Sequence, residues 1–251
     1  MLNIVIPMAG AGSRFAKAGF VDPKPLIRVK GVPMIEVIVN NLQPVSIPHR
    51  FIFICQNEHV KKYDLGMRLE EIAPGSQVIG IDGLTEGAAC TVLKARSYIN
   101  NNDPLMIANS DQFVDISIED YLEDMMHRNL DGLIMTMEAS DPKWSFVEMD
   151  NELVTRVVEK EVISNEATVG IYNFKSGYRF VEAAEEMIHD NERVNGEFYV
   201  APVYNYLIRG RKRIGIFNIG SEGNGMYGLG IPEDLEKFIH LPVSEQIGAP
   251  N

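Results

Sequence analysis

Apolar and polar positions along the chain follow two rhythms. Largely apolar runs at residues 3–7, 51–55, 78–81 and 105–108 have the length of buried strands. Between them lie segments at helical spacing: one from Pro33 through Asn41 that opens on a proline, and a polar one from His59 to about Ile72. A third follows Gly87 and buries Val92, Leu93 and Ala95. Strand and helix alternating over short connections predict an α/β fold, a doubly wound and mostly parallel sheet. Beyond residue 130, strands are expected at 132–138, 146–149 and 154–158. A helix is expected from Ser176 to about His189, and another beginning within 195–199.

Composition narrows the class. The chain has 251 residues, 45% of them hydrophobic and 23% charged, which suits one soluble globular domain over residues 1–251. No apolar run approaches membrane-spanning length, and the first one stops at a glycine loop, too early for a signal peptide. The two cysteines, Cys55 and Cys90, lack metal-ligand spacing and read as buried thiols of a reducing compartment, so the expected location is cytoplasmic. A net charge of −12 argues against nucleic-acid and anionic-membrane partners.

That charge is unevenly spread. Residues 14–30 hold five bases (Arg14, Lys17, Lys24, Arg28 and Lys30) against the single acid Asp22, so this stretch carries +4 and the rest of the chain −16. A compact basic segment in an acidic protein points to a small, concentrated anion. It begins at Ala9-Gly10-Ala11-Gly12-Ser13-Arg14, a glycine turn leaving the carboxyl end of the first strand, where open α/β sheets bind ligands. Glycines there let backbone N–H groups approach an anion, while Ser13 adds a hydroxyl and Arg14 a rigid fork of donors. Lys24 lies between Pro23 and Pro25, which should hold it extended, and is the first candidate for a catalytic cation.

Three further places carry chemistry. The small residues Gly87, Ala88 and Ala89 at a helix start would let a flat ring lie against the backbone. Asp111 follows the strand at 105–108; a carboxylate there can hold magnesium, which needs only one or two protein carboxylates. Asp115 and Ser117 lie closer to the next helix and are the better capping residues. Glu197 reads either as an acceptor-recognition residue or as a first-turn helix acid.

Gly-x-Gly-Ser-Arg-Phe at 10–15, then Pro-Lys-Pro-Leu-Ile at 23–27 and Gly-Val-Pro-Met-Ile at 31–35, resembles the amino-terminal signature of the sugar-phosphate nucleotidyltransferases. No Gly-Lys-Ser/Thr follows the loop, and Phe15 stands where a dinucleotide fingerprint needs its third glycine. The resemblance implies a Rossmann-like fold of the nucleotide-diphospho-sugar transferase type, with a nucleotide-binding half at about 1–130 and an acceptor-binding half at about 131–251. It implies transfer of a nucleoside monophosphate from a triphosphate to a phosphorylated acceptor, by default a sugar 1-phosphate feeding capsule or surface-polysaccharide pathways, with a phosphorylated polyol or amino-acid-like acceptor the alternative if the base is cytosine. Pyrophosphate is the leaving group and Mg2+ the cofactor. Residue by residue, it implies Gly87 and Ala88 beside the base, Asp111 on the metal, Lys160 on the acceptor phosphate and Glu159 on a polar part of the acceptor, ahead of a Gly-x-Tyr-x-Phe strand at Gly170, Tyr172 and Phe174. Without that role, Glu159 and Lys160 would be an exposed ion pair of small worth.

Two departures matter. The family places a glutamine five residues before the base-binding glycine, and Asp82 stands there. An ionised carboxylate only accepts hydrogen bonds, which suits the amino-bearing base cytosine, or the N1 and N2 edge of guanine, over uracil or thymine. CTP is therefore the expected donor, unless Asp82 is a solvated turn residue. The family also carries a second metal-binding aspartate before a Gly-Thr-Pro-like turn; here Gly228 takes that place, in Tyr227-Gly228-Leu229-Gly230-Ile231-Pro232. Either Asp111, phosphates and water hold the metal, or another carboxylate such as Glu197 or Glu222 moves in, or catalysis is lost. Glycines at 220, 223, 225, 228 and 230 suggest a mobile stretch able to close over an acceptor. A glycosyltransferase of related fold would leave Arg14 and Lys24 without purpose and lacks its Asp-x-Asp pattern here; a noncatalytic nucleotide-binding relative is the other alternative. A monomer and a homo-oligomer are equally compatible with the chain.

Overall fold

The computed structural model describes residues 1–247. Strand β1 (Leu2–Pro7) leads through the glycine turn into the short helix α1 (Ser13–Lys17). A 3-10 turn (Lys24–Leu26) and a two-stranded ribbon, β2 (Arg28–Val29) with β3 (Val32–Pro33), precede α2 (Met34–Leu42). Next come β4 (His49–Gln56), α3 (Asn57–Tyr63), α4 (Leu65–Ile72), β5 (Gln77–Ile81), α5 (Ala88–Val92), α6 (Arg96–Ile99), β6 (Leu105–Ala108), β7 (Gln112–Val114) and α7 (Ile118–His127). The remainder is β8 (Gly132–Glu138), β9 (Ser145–Asp150), β10 (Leu153–Glu159), β11 (Glu166–Phe174), α8 (Gly177–His189), α9 (Tyr204–Arg209), β12 (Ile214–Glu222), β13 (Gly225–Gly228) and α10 (Pro232–Ile239).

One twisted sheet runs through the molecule in the order β5-β4-β1-β6-β11-β8-β12-β13-β7, with the β9-β10 hairpin branching from β11. Strands β5, β4, β1 and β6 are parallel, so the segments after β1, β4, β5 and β6 leave along one edge. β11 runs against both β6 and β8, and β8, β12 and β13 resume the direction of β6. The result is the expected mostly parallel α/β sheet, with β11 reversed at its middle and β7 reversed at its edge. Apolar side chains alternate to its two faces: α2, α4, α7 and α10 cover one core and α5, α6, α8 and α9 the other. Among the described residues, no helix is long and apolar enough to cross a membrane.

Several local expectations are corrected. The single polar helix from His59 to Ile72 is two, α3 and α4, broken at Asp64, whose φ of 51° is left-handed. No helix starts at 195–199: Asn195 and Gly196 have positive φ and form a tight turn closed by reciprocal backbone bonds between Val194 and Glu197. Gly220 and Gly225 serve close backbone packing between β12 and β13, where a Cβ at Gly225 would lie 1.7 Å from the Ile219 carbonyl oxygen.

Cys55 is buried in β4, and burial pushes its thiol up to about 12. At pH 8 it should therefore resist a disulfide reagent in the folded protein and react only after denaturant is added. Mass-resolved thiol labelling checks this; rapid native labelling of Cys55 would contradict the packing of β4.

Candidate active site

The glycine turn sits at the carboxyl end of β1. Gly12 adopts a left-handed conformation (φ 59°) at the N-cap of α1, and a Cβ there would approach Lys24 Cβ at 3.6 Å and its backbone N at 3.8 Å, so the loop lies over that lysine. Ala9 is buried, whereas Gly10, Ala11, Ser13 and Arg14 face solvent. Lys24 opens a 3-10 turn instead of being extended. The bonds from Leu26 N–H to the Pro23 carbonyl (2.8 Å) and from Ile27 N–H to the Lys24 carbonyl (3.1 Å), with burial of Pro25 and Leu26, outweigh the extended bias of a residue before proline. Its backbone is fixed either way.

The Lys24 ammonium donates to Asp111 Oδ2 at 2.8 Å, with both side chains three-quarters or more withdrawn from solvent (24% and 20% exposed). Two residues 87 positions apart thus meet where β1 and β6 end. Around Asp111 the backbone is close-packed: Asn109 N–H donates to the Gly170 carbonyl (3.0 Å) and Leu229 N–H to the Asp111 carbonyl (2.7 Å). Gly170, at φ 85°, is required here because a Cβ would lie 2.2 Å from Asn109 Nδ2 and 2.6 Å from Gln112 Oε1.

A second wall follows β5. Asp82 is exposed, and its Oδ1 accepts from Asn57 Nδ2 at 2.8 Å. Gln56, at the end of β4, donates from Nε2 to the carbonyls of Ala9 (2.5 Å) and Gly83 (3.0 Å), tying the glycine turn to the loop after β5. Gly87 packs on the turn at 194–198: Phe198 N–H donates to the Glu86 carbonyl (2.8 Å) and Ala89 N–H to the Phe198 carbonyl (3.0 Å). Arg193 reinforces this contact by donating to Glu86 at 3.0 Å while lying over the Phe198 ring.

The third group lies at the end of β10. Glu159 is buried (8% exposed) and accepts from the Ser145 hydroxyl; burial raises its carboxyl above the usual carboxylate range. Lys160, at φ 58°, donates to the Tyr199 hydroxyl at 2.7 Å, which raises the lysine above its ordinary value. Glu197 is exposed and its charge acts on both Glu159 and Lys160. Glu159, Lys160 and Glu197, with Tyr199, are thus brought together.

The sequence reading missed Gln56, Tyr199, Arg193 and Ser145 as supports of the site. Gln56 left a visible signal, a polar residue ending an apolar run; the other three act through contacts between distant segments that no local pattern carries.

The raised Glu159 carboxyl has a testable sign. The unfolded chain loses this proton near pH 4.3 and the folded chain at higher pH, so ionisation costs folded-state stability as pH rises across that window. Glu159→Gln lacks the cost. The stability of the variant relative to the parent, from urea unfolding at pH 4 to 8, should increase with pH; a decrease would contradict the burial.

The model of the family described as Nucleotidyl transferase matches residues 4–201. The chain belongs to that family. This nucleotidyltransferase moves a nucleoside monophosphate from a triphosphate to a phosphorylated acceptor and releases pyrophosphate. Its fold is similar to that of a nucleoside-diphosphate-sugar pyrophosphorylase from Vibrio cholerae RC9 (24% identity, TM-score 0.80, covering 95% of this chain and 100% of that one). It is also similar to the inositol-1-phosphate CTP transferase of T. maritima (14%, TM-score 0.77, 99% and 98%). The UDP-glucose pyrophosphorylase of Acinetobacter baumanii shares the fold at 18% identity and TM-score 0.70, with 95% and 92% coverage.

Proposed function

We propose that this nucleotidyltransferase takes CTP as donor and a sugar 1-phosphate as acceptor, with Mg2+ as cofactor. The observation that carries the reading of the site is the Lys24 ammonium held on Asp111 beneath the glycine turn. The residues fit a magnesium ion: Asp111 offers a hard carboxylate at a strand end, and its Oδ2 occupies space beside Gly230 that a Cβ would fill, 2.6 Å away. Asp111 would hold the ion, whose chemistry there is to neutralise phosphate charge.

The chain's own residues do the rest. Backbone N–H groups from Ala9 to Arg14 receive the β and γ phosphates, with Ser13 and Arg14 contributing a hydroxyl and a guanidinium. Lys24 neutralises the α-phosphate as an acceptor phosphate oxygen attacks the α-phosphorus in line and pyrophosphate leaves opposite. Lys160 holds the acceptor phosphate, while Glu159 and Glu197 bind polar groups of the acceptor. No side-chain nucleophile is needed, since positioning and charge neutralisation supply the catalysis.

The base assignment rests on Asp82, an acceptor-only side chain five residues before Gly87, where Gly87 and Ala88 would flank the ring. The fold is shared with a CTP transferase and with a UDP-glucose pyrophosphorylase alike, so Asp82 alone carries the base assignment. The test is pyrophosphate release with Mg2+, using the four ribonucleoside triphosphates and dTTP against a panel of phosphorylated sugars and polyols. Release that needs CTP together with a sugar 1-phosphate is expected. Equal use of UTP would overturn the base assignment, and release with a different acceptor would overturn the acceptor.

A further inference from the structure

Gly228 stands where relatives are expected to extend a second metal-binding aspartate, yet a carboxylate already reaches that place. A Cβ built on Gly228 would meet one heavy atom within 4 Å, Asp234 Oδ2 at 3.5 Å. Two residues on, a Cβ on Gly230 would meet Asp111 Oδ2 at 2.6 Å. Between the two glycines, Leu229 is fully buried in the core and its N–H is bonded to the Asp111 carbonyl. Gly228 is paired with Gln112, the residue after Asp111, in the ladder between β13 and β7, so position 228 lies beside the strand end that carries Asp111. The carboxylates of Asp111 and Asp234 therefore approach backbone positions only two residues apart.

Asp234 is also uncommitted. It lies in the first turn of α10, three residues after the N-cap Ile231, where an acid usually bonds back to the N-cap in a capping box. Ile231 has no side-chain oxygen to complete such a box, and among the described residues Asp234 accepts no hydrogen bond. Its ion-pair partner there, Lys237, is 3.9 Å away and 78% exposed. The other candidates are occupied: Glu222 accepts from Lys143 at 3.1 and 3.2 Å, and Glu197 acts on Glu159 and Lys160.

We infer that Asp234 supplies the second carboxylate of the divalent-cation site, reaching in from helix α10 across the space that Gly228 leaves open. The inference rests on reading Asp111 as the first ligand. It explains why both positions are glycine: a side chain at 230 would collide with Asp111, and one at 228 would fill the approach of Asp234.

The test titrates Mn2+ into wild type, Asp234→Asn and the double variant Gly228→Asp with Asp234→Asn, following free Mn2+ by electron paramagnetic resonance with and without α,β-methylene-CTP. Asp234→Asn should bind Mn2+ about 10- to 100-fold more weakly. The double variant, with its carboxylate moved to the strand, should recover most of that loss. Gly228 has no positive φ, and a Cβ there makes ordinary contact with the carboxylate the variant replaces, so the backbone admits the substitution. Unchanged affinity in Asp234→Asn would overturn the inference, as would a loss that Gly228→Asp does not recover. The transfer reading is judged separately: wild type that binds Mn2+ through Asp234 but releases no pyrophosphate across the panel overturns the donor and acceptor assignment alone. Absence of Mn2+ uptake by wild type overturns the inference together with the Mg2+ assignment and leaves the donor and acceptor to the pyrophosphate panel.

Discussion

Lys24→Ala is expected to lower turnover about 100- to 1000-fold, the scale of removing one preorganised charge-stabilising donor from an active site. The lysine is fixed at its backbone by the turn from Pro23 and at its ammonium by Asp111 at 2.8 Å, so no reorganisation is needed before it meets a phosphate. Lys24→Arg should recover little, because a planar fork cannot replace a compact point charge in a space bounded by Gly12 and Asp111. Steady-state pyrophosphate release decides it, with near-normal turnover of Lys24→Ala removing the lysine from the mechanism.

Gly87→Ala is the change expected to damage the fold most. At φ 129° and ψ 174° Gly87 occupies a region open in practice only to glycine, worth about 1–3 kcal/mol of strain for another residue. The added Cβ would also lie 2.4 Å from the Phe198 carbonyl oxygen and 2.5 Å from its nitrogen. Relief requires moving backbone that carries the Phe198 N–H to Glu86 and Ala89 N–H to Phe198 bonds, each worth about 1 kcal/mol. A loss of roughly 3–5 kcal/mol follows, among the larger values for single substitutions. Urea denaturation reads it directly, and a variant as stable as the parent would show that the two segments are not locked together.

The parallel part of the sheet was legible because its strands are short apolar runs, buried on both faces in β1, β4 and β6, and because each ends in recognisable turn chemistry. Gly10 to Arg14, Asp111 and the helix starting near Ile118 stand out for that reason. Other features leave no such trace. The break at Asp64 depends on one residue adopting a left-handed conformation inside an otherwise helical pattern. The reversal of β11 is invisible because an apolar strand buried on both sides carries no mark of direction. Burial of Glu159 beside Ser145 and pairing of Lys24 with Asp111 join residues 14 and 87 positions apart, respectively, and only the fold supplies those neighbours.

β7 begins one residue after Asp111, yet its sheet partner is β13, residues 225–228, and the Asp111 carbonyl is bonded from Leu229. Likewise, the open side of β6 waits for β11, which ends at Phe174. A ribosome that has delivered the first half of this chain has therefore released every strand of the parallel block while leaving one flank of β6 unpaired, the kind of edge that invites association with other chains. The surroundings of Asp111 cannot close until residue 229 has emerged. The pocket exists only after β13 and Leu229 have been made, and a chain stopped short of β13 would present the glycine turn without the clasp that finishes it.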